Sequence, residues 1–230
     1  MTETVLVTGA TGFVGGWCVV ELLKRGYAVR AALRDPVKEA AVRAMAQAGG
    51  ADPALLSICK ADLTDDAGWD EAAKGCTYVL HVASPLQGDT AADPASFIGP
   101  ARDGTLRVLA AATKAGAKRV VMTSAAAAAR VPIKSKKKIS DETVWADPSE
   151  PRFDAYRRSK ILAERAAWDF MAGKATEFTT ILPGAVFGPV LATDKLGSVG
   201  IIAGLLRGRR RFCRSSVSGS WTCAISRRCM

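Results

Sequence analysis

Apolar residues in this chain fall into short continuous runs separated by stretches of helical period. Thr4-Val-Leu-Val-Thr8 has strand length, and Gly9-Ala-Thr-Gly-Phe-Val-Gly15 leads from it into Val19, Val20, Leu22 and Leu23, so the opening reads strand, tight turn, helix. Gly26 closes the helix and Tyr27 to Leu33 predicts a second strand. Pro36, well placed in a first turn, opens an alanine-rich helix. A third strand is expected over Leu55 to Cys59, a helix ending at Lys74, a fourth strand over Tyr78 to Val82 and a long helix from about Ala95 to Ala115. Arg119 to Met122 gives the fifth strand. After a loop come a helix over Asp154 to Met171 and a sixth strand over Phe178 to Leu182.

Six apolar strands alternating with helices predict an α/β fold with a doubly wound parallel sheet, because parallel strands need crossovers and the crossovers cover both faces. The expected order is 3-2-1-4-5-6 of a Rossmann sheet. Residues 1–182 form this dinucleotide-binding domain. Residues 183–208 read as the start of a small C-terminal substrate domain that is largely missing, with one helix from about Ser198 to Leu206. Residues 209–230 read as a tail without periodicity, expected to be disordered.

Composition narrows the class. No apolar run approaches the roughly 18 residues of a membrane span, and the N-terminus shows no basic region or cleavage site for export, so a cytoplasmic protein is expected. The net charge of +10 is concentrated in the tail: from Arg207 onward there are seven Arg and no acid, leaving 25 basic against 22 acidic residues in the body. Together with a solvated run at Lys134 to Lys138, this distribution argues against nucleic acid as a partner. The six cysteines (18, 59, 76, 213, 223 and 229) contain no C-x-x-C pair, and His81 is the only histidine, so no metal site is expected.

Two constellations carry chemistry. Gly9-x-x-Gly12-x-x-Gly15, with Phe13 and Val14 inside it, stands between strand and helix, where glycines let the backbone approach a pyrophosphate at a helix N-terminus. At the end of the second strand, 19 residues after Gly15, Arg34 offers a guanidinium suited to a 2′-phosphate, which favours NADP (NADPH) over NAD; Asp35 follows at once. Further on, Tyr156 and Lys160 share one helical face, so the ammonium is expected to stabilise a phenolate and lower a phenol pKa from its usual ~10. Such a pair serves as an acid and base near neutral pH.

These stretches, with Arg34-Asp-Pro36, Asp62-Leu63, His81-Val-Ala-Ser-Pro85, Thr123-Ser124, Tyr156-x-x-Ser-Lys160 and Pro183-Gly-Ala-Val-Phe-Gly-Pro189, resemble an extended short-chain dehydrogenase/reductase of the NAD-dependent epimerase/dehydratase family, closest to the dihydroflavonol reductase and NADP-dependent aldehyde reductase group. The resemblance covers residues 1 to about 206. It implies that Asp62 and Leu63 flank the adenine, Ala83 and Ser84 line the cofactor cleft, and Pro183 and Val186 lie near the nicotinamide. It further implies that Lys160 also binds the nicotinamide ribose and Tyr156 protonates the substrate oxygen. Relatives often pair, so a homodimer is also implied.

The chain departs from the family pattern three times. Relatives end the fifth strand in Thr-Ser-Ser, whereas this chain has Thr123-Ser124-Ala125. Because one residue along a strand reverses the face, Ser124 can take the catalytic role only if the chain has left the strand there. Asp103 stands where relatives usually have Asn, which touches any proton relay through that position. Finally, Ser216 to Ser226, back-translated with permitted codons and shifted by one base, gives Leu-Gly-Phe-Trp-Val-Val-Asp-Val-Arg-Asp-Leu, similar to a segment of the family's C-terminal domain. From about Arg209 the chain therefore reads as out of frame.

The expected function is reduction of a small-molecule aldehyde or ketone by NADPH, with Ser124, Tyr156 and Lys160 as the catalytic residues. The alternatives are a nucleotide-sugar epimerase or dehydratase on the same sheet and a non-catalytic dinucleotide-binding protein. Arg34 speaks against the epimerase reading, which calls for a retained NAD.

Overall fold

The computed structural model describes residues 2–85, 95–131, 139–207 and 225–228. The strands are β1 (Thr4–Thr8), β2 (Ala28–Leu33), β3 (Leu56–Lys60), β4 (Tyr78–His81), β5 (Arg119–Thr123), β6 (Glu177–Leu182) and β7 (Ile225–Arg228). The helices are α1 (Phe13–Lys24), α2 (Glu39–Ala48), α3 (Trp69–Ala73), α4 (Ala95–Lys114), α5 (Ala155–Met171) and α6 (Val199–Leu206). Among the described residues no helix is long and apolar enough to cross a membrane.

One sheet holds all the strands in the order 3-2-1-4-5-6-7, the first six parallel, as the alternating pattern predicts. Successive residues on a strand feed opposite layers, which is why the runs are continuously apolar. On β1, Val5 and Val7 pack against Val19, Val20, Val42 and Ala46 of α1 and α2. Leu6 faces the other way, into a core of Trp69, Val108, Leu109, Ala163 and Ala167 supplied by α3, α4 and α5, with Phe178 of β6. Three cysteines fit this packing: Cys76 is buried, Cys18 and Cys59 are half-buried, and burial raises all three thiol pKa values.

Two local features differ from the residue pattern. Pro36 opens a single 3-10 turn (Pro36–Lys38) before α2, because the Asp35 carboxylate accepts from Val37 N at 3.1 Å and caps that turn. More unexpectedly, Ile225–Arg228, inside the tail taken to be disordered, forms β7 antiparallel to β6. An edge strand offers a row of unpaired backbone groups, and antiparallel pairing on them needs no side-chain period. The rest of the tail, with Cys213, Cys223 and Cys229, lies outside the described residues, as do Lys134 to Lys138.

Candidate functional site

The sheet order reverses between β1 and β4, and a cleft of about 470 Å³ opens there, beyond the carboxyl ends of β1, β2, β3 and β4. The glycine loop forms its floor. Gly9 sits at φ +75°, and a Cβ there would lie 2.8 Å from Ala83 N, so the β1 and β4 loops approach as closely as backbone allows. A Cβ on Gly15 would lie 2.1 Å from Gly9 O, and Gly12 N donates to that same oxygen at 2.9 Å. The loop thereby folds flat over the start of α1. Gly12 caps α1 without a side chain, so the helix presents bare N–H groups, a ready anion site.

Of the residues singled out for cofactor binding, Gly9, Gly12, Arg34, Asp62, Leu63, Ala83 and Ser84 line this cleft. Phe13 and Val14 contribute only backbone to the first turn. The Phe13 side chain packs by Gly197, and Val14 joins Val5, Trp17, Leu80 and Val121 on the far side of α1. Asp35, the rival of Arg34, lines the same cleft, and its carboxylate accepts from Val37 N as the cap of its own turn. Residues that the motif reading missed also line the cleft: Thr11, Lys38, Trp69, Pro100 and Lys195.

Ser124, Tyr156, Lys160, Pro183 and Val186 lie outside the cleft lining. The catalytic candidates among them sit on the adjoining strand ends and on α5. β4 and β5 pair directly, with His81 opposite Met122, so the end of β5 is the next wall beyond Ala83. Lys160 is 4% exposed, and its Nζ donates to Thr123 O at 3.0 Å. Burial lowers the Lys160 pKa to about 8, against an opposing pull from Glu164. Tyr156, in the first turn of α5 after the Asp154 cap, departs from expectation: its pKa is raised, first by burial and then by Asp154, with Arg157 opposing. The spacing puts phenol and amine on one face, but the amine is turned to a carbonyl and burial dominates the phenol.

Ser124 is also corrected. It stands one residue past the end of β5, yet its N–H donates to Ile181 O at 2.8 Å and Ala125 is extended, so the extended path and its alternation of faces continue through it. The side chain therefore shares the α5 face with Val120 and Met122, and its hydroxyl donates to Glu164 Oε2 at 2.5 Å. Thr180 Oγ1 donates to Glu164 Oε1 at 2.9 Å. Glu164, completely buried, was missed by the motif reading, although a charge on the same helical stripe as Lys160, Ala163 and Ala167 is its signal.

A second missed group ties the two halves together. Thr8 Oγ1 accepts from Val82 N (3.1 Å) and Ala83 N (3.0 Å) and lies 2.9 Å from His81 Nδ1. A hydroxyl has one proton, so it donates to Nδ1, and the ring's Nε2–H donates to Thr105 Oγ1 at 3.1 Å. Burial, helped by the Lys160 charge, lowers the His81 pKa to about 3 and keeps this tautomer neutral.

A family model described as the NAD dependent epimerase/dehydratase family matches residues 5–208. Dihydroflavonol 4-reductase of Arabidopsis thaliana is 39% identical over 198 residues, covering 84% of this chain and 51% of the relative. Tetraketide alpha-pyrone reductase 1 of the same plant is 38% identical over 208 residues, covering 89% of this chain and 64% of the relative. The chain thus spans about half to two thirds of these relatives. Among solved structures, the yeast methylglyoxal/isovaleraldehyde reductase complexed with NADPH superposes with a TM-score of 0.76 at 28% identity, over 89% of this chain and 66% of that one.

Proposed function

The chain belongs to the NAD dependent epimerase/dehydratase family, and from that premise we propose that it is a reductase of small aldehydes or ketones that uses NADPH. The residues fit the cofactor. The bare N-terminus of α1, with Gly9 and Gly12 lining the cleft before it, suits the pyrophosphate, and Arg34 suits a 2′-phosphate. Bound there, NADPH would supply the hydride.

The observation that carries the reading is the pair on α5, one strand beyond the cleft wall: a buried ammonium at Lys160 and, one turn before it, a phenol whose raised pKa keeps it protonated. A protonated Tyr156 is the state that reduction needs, because the carbonyl oxygen must receive a proton as its carbon is reduced. Lys160 supplies positive charge toward the phenolate left behind, and Glu164 helps to keep that lysine charged.

The three reductases reported above support a reductase by name, and the yeast one is complexed with NADPH. A second reading, a dinucleotide-binding protein without turnover, is favoured by one observation: Ala125 stands in the donor slot while Ser124 faces Glu164. Fluorescence titration with NADPH and NADH, followed by loss of reduced-nicotinamide absorbance over a panel of aldehydes and ketones, separates the readings. Turnover that falls about 10²- to 10⁴-fold in Tyr156→Phe is the expected result. NADPH binding with no oxidation by any carbonyl would leave only the second reading standing.

A further inference from the structure

After β6 the chain does not stay over its own end of the sheet; residues 183–197 cross to the α1 and α2 layer, and three contacts fasten them there. Pro189 O accepts from Trp17 Nε1 at 2.9 Å. Leu191 packs into the core under α1 and α2, so near that a Cβ on Gly16 would lie 3.3 Å from its Cδ1 and one on Gly49 3.2 Å from its Cδ2. Gly197, at φ +52°, lies against Phe13, and a Cβ there would come within 3.0 Å of the Phe13 Cβ. Between the second and third of these contacts a tight turn, closed by Lys195 N donating to Ala192 O at 2.9 Å, brings Lys195 into the cleft lining that also holds Arg34 and Lys38.

We propose that Lys195 completes, with Arg34 and Lys38, a three-cation seat for the 2′-phosphate of NADP(H), and that the strap after β6 thereby helps to set cofactor choice. The proposal rests on the reading above that the cleft takes NADPH. The acids at this corner are accounted for. The Asp35 carboxylate is bound to Val37 N, and the Asp62 carboxylate to Thr64 N and Oγ1 at 3.0 Å each. Asp194 pairs with Lys195 at 2.9 Å, and Lys195, with a smaller contribution from Lys38, holds its carboxyl below the usual range. Asp194 is thus within electrostatic reach of both lysines, and it and the exposed Asp35 each carry one negative charge, against which a phosphate of charge about −1.5 to −2 competes with advantage. The ribose diol of NAD offers these cations nothing comparable.

Lys195 is exposed and sits at a turn, so its substitution leaves the core untouched. The test is fluorescence titration of the purified chain with NADPH and with NADH at low ionic strength, where exposed charges act most strongly. Lys195→Gln is expected to raise the NADPH Kd roughly two- to fivefold with the NADH Kd unchanged, the scale of one exposed ion pair. Asp194→Asn, which removes the competing anion, is expected to tighten NADPH by about twofold without affecting NADH. Equal weakening of both cofactors by Lys195→Gln, or no weakening of NADPH, overturns the proposal while a parent that prefers NADPH keeps the reductase reading intact. A parent that binds NADH as tightly as NADPH removes the NADP reading itself, and this seat with it.

Discussion

Ser124→Ala distinguishes a hydroxyl that acts on substrate from one that holds the fold. In the structure this hydroxyl gives a 2.5 Å hydrogen bond to a completely buried carboxylate, Glu164, which Thr180 also serves at 2.9 Å. Bonds of this length between hydroxyl and carboxylate are charge-assisted, and their loss costs about 1.5–3 kcal/mol because the acceptor stays buried with one donor fewer. Neither partner is screened by solvent, so no discount applies. For a domain of this size each kcal/mol lowers Tm by about 2–4 °C, which gives a fall of roughly 3–12 °C.

The assay is thermal unfolding followed by circular dichroism, without cofactor, with Thr180→Val as companion. Because both hydroxyls share one acceptor, the double variant is expected to lose less or more than the sum of the singles, and that non-additivity is a signature of the network. A serine that polarises the substrate carbonyl behaves oppositely: its removal lowers kcat by about 10²- to 10³-fold and leaves Tm in place. A Ser124→Ala protein melting within about 1 °C of the parent while hydride transfer collapses would refute the reasoning, because it would put the hydroxyl on the substrate.

The other expectations are as direct. Gly15→Ala forces a Cβ to within 2.1 Å of a backbone oxygen that has no flexible end to swing away, so NADPH affinity should fall by at least about 100-fold with a loss of roughly 1–3 kcal/mol in stability; a parental Kd by fluorescence titration contradicts this. His81, as the single histidine, gives one imidazole signal set by ¹H–¹⁵N NMR, expected to show the Nε2–H form and no titration between pH 8 and about pH 5, and a midpoint near 6.5 would count against the burial argument. Its folded pKa lies below the unfolded value, so the stability it contributes is complete above about pH 6.5 and is lost as pH falls from there toward 3; His81→Asn should flatten that part of the stability profile measured by denaturant unfolding.

What the residues disclose in advance divides by range of interaction. Strand order and both faces of the sheet follow from continuous apolar runs, because a buried parallel strand must be apolar on both sides and its crossover has a fixed hand. The glycine loop is equally legible, since Gly12 and Gly15 are constrained by Gly9 backbone a few residues away, although Gly9 itself is constrained by Ala83 from the β4 end. The fate of Ser124 was half legible. The alternation rule named the condition that decides it, but the decision depends on Ile181 holding the strand in register and on Glu164, 40 residues on, presenting its carboxylate to that face. For Tyr156 and Lys160 the spacing fixes the shared face and nothing about the surroundings. Burial is the first cause that raises the one pKa, with Asp154 adding to it, and lowers the other.

The features with no local period are the ones that escaped. β7 pairs with β6 at the edge of the sheet, and the strap that carries Lys195 is held by the Trp17 N–H, by its own Leu191 packed under α1 and α2, and by Phe13. Such segments take their path from surfaces that exist only once the sheet and α1 are assembled. On the proposal above, a cation delivered by a segment of that kind would add to cofactor discrimination without disturbing the glycine loop. Affinity for a dinucleotide and choice between its two phosphorylation states would then be separable, the first resting on backbone geometry and the second on side chains at a turn.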